Sequence, residues 1–446
     1  MIKRITIGFI ALGIAIIVIA GIIANPYVRT ATAYKAKAVC SEVFVAGRDV
    51  DDVLHRDFQR IHSLVSNASI SVDREKSQVR SSAYGLLGRT TAVYRPGLGC
   101  TIAIDGPPAH SGFETSPANS APWSIDIDPE IQRLVETARR DDRPVSSDLR
   151  AIIVIRDGVL IAEDYAKGFG PDIPMQSWSM AKSVTQAMLA IALDEGIIAL
   201  ELSELMPEWT DGDPRADITV RTLLGMTDGL DFVENYADPA SDVSQMLFNS
   251  RSMGRRATEA SLAHEPGTHW AYSSGTTNIL SLILRRAIEE SGQAYHRWPY
   301  ERLFKPIGAD SVVFETDADG TFIGSSYLYA SPRDWARFGQ LYLDGGLWQG
   351  ERVLPSDAIA LATTPHLPET APYYGGHWWI NARTKDGDMR YAGLPETVFY
   401  MGGHDGQNVF VIPSKNAVIV RLGMTRPPID QNVDVIPKIA AIVDAL

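Results

Sequence analysis

Cysteine is nearly absent: Cys40 and Cys100 are the two in 446 residues. Two thiolates cannot complete the four-ligand sphere of a structural zinc site, and neither cysteine lies in a Cys-x-x-Cys redox pair. The nine histidines contain no His-Glu-x-x-His, and His264 and His269 stand five apart, so they read as packed or solvated side chains. No metal and no other cofactor is expected. Basic charge is outnumbered, 41 Lys and Arg against 54 Asp and Glu, and no long Lys/Arg run interrupts the net charge of -13. Such a chain repels phosphate backbones, which excludes nucleic acid as an expected partner. Internal repeats and low-complexity segments are missing as well. With 45% hydrophobic and 21% charged residues, the chain is instead long and apolar enough for a large core in two or three lobes.

What is present begins at the N-terminus. Lys3 and Arg4 precede an uncharged run from Ile5 to Ala24. About 20 residues at about 1.5 Å each span the ~30 Å hydrocarbon core of a bilayer, so residues 1–25 read as a single-pass anchor. The basic pair keeps that end in the cytoplasm and places the rest outside, periplasmic in a Gram-negative cell. Ala31-Thr32-Ala33 resembles a small-residue cleavage site, so a cleaved leader is the other reading. Either way the two cysteines enter a compartment that permits a disulfide, and Cys40–Cys100 is the pairing expected.

Residues 26–120 read as an N-terminal extension and linker: short apolar stretches such as Val43-Phe44-Val45-Ala46-Gly47, then a loop-like segment containing Gly106-Pro107-Pro108. Residues 121–446 read as the main domain. Ala151–Ile155 and Val159–Ala162 flank Asp157-Gly158 and predict a hairpin. A second hairpin is predicted from Val409–Ile412 and Ala417–Leu422 around Pro413-Ser414-Lys415-Asn416. Between them, Ser179–Glu195 lacks Pro and Gly and ends at Gly196, as expected for a buried helix. Further helices are predicted over 220–226, 277–290, 332–343 and 435–445. Strands early and late with helices between predict an α+β fold, in which both strand sets share one antiparallel sheet and a helical lobe is inserted.

The chemistry centres on Ser179 and Lys182. Residues i and i+3 share a helix face, so the amine reaches the hydroxyl. A serine alcohol needs a base, and a lysine serves once burial or a helix N-terminus lowers its pKa. Alone, Ser-x-x-Lys is a chance-level pattern. It is joined by Tyr272, in the turn-rich stretch Glu265–Gly275, and by Gly402-Gly403-His404-Asp405-Gly406-Gln407 ahead of an apolar strand. A phenol near a lysine relays a proton, and backbone N–H groups beside glycines bind an oxyanion. Gly225-Met226-Thr227-Asp228-Gly229 mimics a nucleophile elbow with Thr for Ser, but no strand precedes it.

These segments resemble the serine β-lactamase-like hydrolases: class C β-lactamases, penicillin-binding peptidases, and related esterases and amidases. Ser179–Lys182 matches Ser-x-x-Lys, Tyr272-Ser273-Ser274 the Tyr-x-Asn element with Ser274 for Asn, and His404-Asp405-Gly406 the Lys-Thr-Gly element in its esterase-like form. The likeness spans about residues 120–440 and is nearest the 6-aminohexanoate-dimer hydrolase branch, through Asn235-Tyr236-Ala237-Asp238-Pro239-Ala240-Ser241-Asp242 as well. It implies a β-lactamase/transpeptidase-like fold and an acyl-enzyme on Ser179, with Lys182 and Tyr272 sharing proton transfer. It implies an oxyanion hole from the backbone N–H groups of Ser179 and Gln407, and substrate contacts from Tyr236, Ser274, His404 and Gly406. Without Lys at 404 and Asn at 274, a β-lactam is poorly gripped. A small-molecule ester or amide is the expected substrate; an acyltransferase, or a tethered sensor of cell-wall-like ligands, is the competing reading. Trp178, Trp270, Trp378 and Trp379 are candidates to line an apolar pocket.

Overall fold

The computed structural model describes residues 25–85, 87–115, 122–140, 148–210, 212–384 and 387–446. The run from Ile5 to Ala24, expected to be an anchor, lies outside the described residues; among these no helix is long and apolar enough to cross a membrane.

Residues 25–44 form helix α1. Four strands follow as an antiparallel meander in sequence order: β1 (Ser69–Asp73), β2 (Gln78–Ala83), β3 (Leu87–Arg95) and β4 (Gly99–Ile102). One face of α1, Ala36, Val39, Cys40 and Val43, packs with Val79, Ala92 and Cys100. The Cys40–Cys100 disulfide fastens that face to β4. Its cysteines are 60 residues apart in sequence, a separation for which chain entropy gives about 4 kcal/mol. The other face of α1 turns toward the rest of the chain. Ala33 and Tyr34 join the main core, and Lys37 makes a buried ion pair with Glu315. Glu315 also accepts from the Ser41 hydroxyl at 2.8 Å and the Cys100 N–H at 2.7 Å.

The two predicted hairpins meet in one sheet. β5 (Asp148–Arg156) pairs with β6 (Val159–Tyr165) on one side. On the other it pairs with the last strand of the C-terminal set, β7 (Trp379–Ile380), β8 (Phe399–Gly403), β9 (Gln407–Ile412) and β10 (Ala417–Met424). The order is β7-β8-β9-β10-β5-β6, every neighbour antiparallel. Both faces are covered, which explains why these strands read as unbroken apolar runs rather than alternating ones. Ile153, Ile155, Val409 and Val418 face the helical lobe; Ile152, Val154, Phe410 and Ile419 face helices Pro129–Arg139 and Ile436–Ala445.

In the lobe, helix α2 (Ala181–Asp194) is buried on nearly every side. It ends at Gly196, where φ of +68° suits glycine, and the Ile197 N–H returns to the Ala192 carbonyl at 2.9 Å. Helix α3 (Ser274–Glu290) crosses it and starts three residues earlier than the apolar pattern suggested, because Ser273 caps it by accepting from the Thr276 N–H at 3.0 Å.

Candidate active site

Ser179 lies in the single 3-10 turn Trp178–Met180 that feeds α2, and its side chain is half-buried. The residue before it, Trp178, has φ of +45°, a left-handed value that costs a non-glycine residue about 1 kcal/mol or more. The turn is held from both sides. The Ser177 N–H donates to the Leu328 carbonyl at 2.8 Å, and the Ser177 hydroxyl accepts from the Leu328 N–H at 3.2 Å while donating to the Trp178 carbonyl at 2.8 Å. Opposite, β8 runs so close that a Cβ on Gly403 would stand 2.3 Å from the Ser177 carbonyl oxygen. Gly403→Ala is therefore expected to displace the Ser179 turn and lower kcat/KM by about 10- to 100-fold. Ester kinetics beside a melting curve check it, a loss that outruns the change in Tm being the expected result.

One helical turn on, Lys182 is 1% exposed. Its ammonium donates to Ser179 Oγ at 3.3 Å, Ser274 Oγ at 2.9 Å and the Ser325 carbonyl at 3.2 Å. Burial lowers its pKa to about 8, against the opposing pull of the Glu234 carboxylate. Glu234 sits over the N-terminus of α3, where it accepts from the Ser274 N–H at 2.8 Å and the Ser274 hydroxyl at 2.6 Å. The Ser274 hydroxyl thus donates to Glu234 and accepts from Lys182. The Tyr236 hydroxyl joins this group, 3.2 Å from Glu234 Oε1 and 3.4 Å from Ser274 Oγ.

Tyr272 stands across the lysine, with Lys182 Nζ 4.7 Å from its ring centroid and its hydroxyl on the Ser179 side of the cluster. Burial raises its pKa, so it is a neutral phenol. The ring is fixed by stacking on Trp379 at 5.3 Å and by the edge of Tyr374 at 5.8 Å. Facing it, His404 is exposed and stacks on Tyr236 at 5.3 Å, with Trp178 edge-on to His404 at the same distance. Ser179, Lys182, Tyr272, Ser274 and Tyr236 are therefore brought together, with His404 on the adjoining wall. Gly406 is buried behind that wall, its carbonyl accepting from Arg421 at 2.5 Å. Gln407 opens β9 in register with Gly403, and its side chain bonds the Gly423 backbone.

Of the tryptophans, Trp178 and Trp379 border the cluster, and Trp270 packs behind Trp379 at 6.3 Å. Trp378, expected as a pocket residue, is instead fully buried in the main core against Tyr342, 4.3 Å between centroids, one residue ahead of the strand that carries Trp379. The elbow-like Thr227 and Asp228 are also buried, Asp228 accepting from Thr276 at 2.6 Å. Sequence reading missed Glu234, two residues from the singled-out Tyr236, and Ser325, whose carbonyl no motif marks.

Residues 148–444 match the family model described as Beta-lactamase. A 6-aminohexanoate-dimer hydrolase from Paenarthrobacter ureafaciens is 26% identical over 340 residues, 70% of this chain and 81% of that one. A solved structure from Bacillus anthracis that carries the same hydrolase name superposes with a TM-score of 0.58 at 22% identity, covering 73% of this chain and 87% of that one. EstCE1, a hydrolase with promiscuous acyltransferase activity, superposes at 0.54 and 16%, covering 70% and 97%. The two structural likenesses speak for the fold.

Proposed function

Because the chain belongs to the beta-lactamase family, we propose that it is a serine hydrolase cleaving an ester or open-chain amide through an acyl-enzyme on Ser179. The observation that carries this is a half-buried Ser179 hydroxyl that accepts from a buried Lys182 of pKa about 8, with the neutral Tyr272 phenol packed against that lysine. Ser179 Oγ attacks the carbonyl and its proton passes to the Lys182 amine. Tyr272, a neutral phenol at rest, hands its proton to the leaving group and takes the one that Lys182 received from Ser179. The backbone N–H groups of Ser179 and Gln407 receive the oxyanion, by likeness to the family. Water then releases the acyl group.

The wall of Trp178, Tyr236 and His404 favours an apolar or aromatic portion of substrate over a β-lactam carboxylate, for which position 404 offers no lysine. The relative named 6-aminohexanoate-dimer hydrolase supports the amide side of this reading. The test is a short nitrophenyl ester. One acyl mass increment on the Ser179 peptide, formed and then cleared, is expected; an increment that never clears makes the protein a sensor, and none at all refutes the nucleophile.

We also infer that residues 5–24 tether the enzyme to the cytoplasmic membrane with the hydrolase outside. The apolar run behind Lys3 and Arg4 and the formed Cys40–Cys100 bridge support this. Full-length protein is expected in the alkali-resistant membrane fraction and accessible to protease from the outer side.

A further inference from the structure

We infer that the N-terminal unit, residues 25–104, is a working part of the active site, and that Arg426 and Tyr34 are the positioning residues that couple them. The inference rests on the serine-hydrolase reading of Ser179.

Among the residues that border the cleft, two non-glycine residues hold a left-handed backbone: Trp178 at φ of +45° and Asp405 at +59°. Such conformations persist only where the surroundings over-determine them. In both cases a surrounding group comes from, or is gripped by, the N-terminal unit. The Tyr34 ring of α1 lies parallel to Trp178, 6.5 Å between centroids and 15° between planes. Tyr34 is itself fixed by edge contacts with Phe58 at 6.2 Å and Phe248 at 5.5 Å. Its hydroxyl lies in the field of Arg426, Asp405 and Asp57, so the second contact adjoins the first.

That second contact is Arg426, 7% exposed. Its Nε donates to Asp405 Oδ2 at 3.0 Å, and its Nη1 donates to the carbonyls of Asp57 at 2.8 Å and Gln59 at 2.9 Å. The other Asp405 oxygen is 3.4 Å from His404 Nε2. The loop that Arg426 grips is firm, because Arg48 donates to both oxygens of the Asp57 carboxylate, at 2.6 and 3.0 Å, and Arg150 adds a further buried ion pair. A continuous set of contacts thus runs from the N-terminal unit through Arg426 and Asp405 to His404, and through Tyr34 to Trp178. His404 and Trp178 are the two rings that meet edge-to-face beside Ser179 and contact Tyr236. The N-terminal unit therefore sets the spacing of the substrate wall, not merely the stability of the fold.

Kinetics on the full chain test this, with Arg426→Ala, Arg426→Lys and Asp405→Asn read beside Ser179→Ala at a temperature where every variant is folded. A lysine keeps the charge opposite Asp405 but lacks the planar fork that spans Asp405 and two carbonyls. Arg426→Ala is expected to raise KM about 10-fold with a smaller change in kcat, Arg426→Lys to fall between it and wild type, and Asp405→Asn to follow Arg426→Ala. The pH limb set by Lys182 should stay in place. If Arg426→Ala does not fold, Arg426→Lys and Asp405→Asn decide. Values of KM within two-fold of wild type in the folded variants overturn the inference, as does a loss confined to kcat or one that tracks Tm alone. Full turnover by Ser179→Ala instead overturns the serine-hydrolase reading, which separates the two failures.

Discussion

Ser179→Ala is expected to reduce turnover of a short nitrophenyl ester to the background rate, a loss of at least about 10³-fold. The size follows from what the hydroxyl does and from the lack of a neighbour to replace it. Ser177, two residues back, is fully buried with its hydroxyl committed to the Trp178 carbonyl and the Leu328 N–H. Ser274 is fully buried, its hydroxyl donating to Glu234 and accepting from Lys182, so no substrate carbonyl can reach it. Removing one oxygen from Ser179 leaves the 3-10 turn, the lysine and the aromatic wall in place, so Tm should barely move. Residual turnover above a tenth of wild type, with correct folding, would mean that the ester is cleaved elsewhere. Ser177→Ala is the contrasting variant: its loss should come through stability, since it unpins the strained Trp178 turn.

The parts of this site that were legible in sequence are those whose geometry is local. Ser179 and Lys182 meet because three residues of helix put them on one face, and the two hairpins announce themselves by turn residues between apolar runs. The order of Ser179, Tyr272 and His404 along the chain carried the resemblance to the family. What stayed hidden depends on distant groups. Trp178 holds its left-handed φ in a turn that Leu328 and Gly403 fix at Ser177 and that Tyr34 flanks, and no property of tryptophan signals that. Glu234 looks like any loop carboxylate until α3 delivers the Ser274 N–H to it. The N-terminal region showed weak periodicity, since its polar residues are spent on partners far along the chain: Lys37 on Glu315, 278 positions away, and Asp57 on Arg150, 93 positions away.

The pH–rate profile gives the other large effect. The ammonium form of Lys182 cannot accept the Ser179 proton and the free amine can, so kcat/KM is expected to rise with pH through a limb near 8. The groups facing this lysine set where the limb falls. Glu234 is the opposing carboxylate and raises the pKa that burial lowers. Tyr272 and Tyr236 have raised pKa values and are neutral, and His377, its pKa pushed down to about 3 by burial, is neutral too. Glu234→Gln keeps an oxygen for the Ser274 hydroxyl but removes the charge, so the limb should move to lower pH and activity at pH 7 should rise relative to the plateau. Lys182→Arg should lose about 10²- to 10⁴-fold at every pH, because a guanidinium keeps the positive charge and never offers a lone pair. A limb that ignores Glu234→Gln, or an arginine variant that still turns over the ester, would assign the proton to a different base. The same pair of variants explains why the lysine is placed where it is: deep enough to shed its proton near neutral pH, yet close enough to one carboxylate to keep that pKa from falling further.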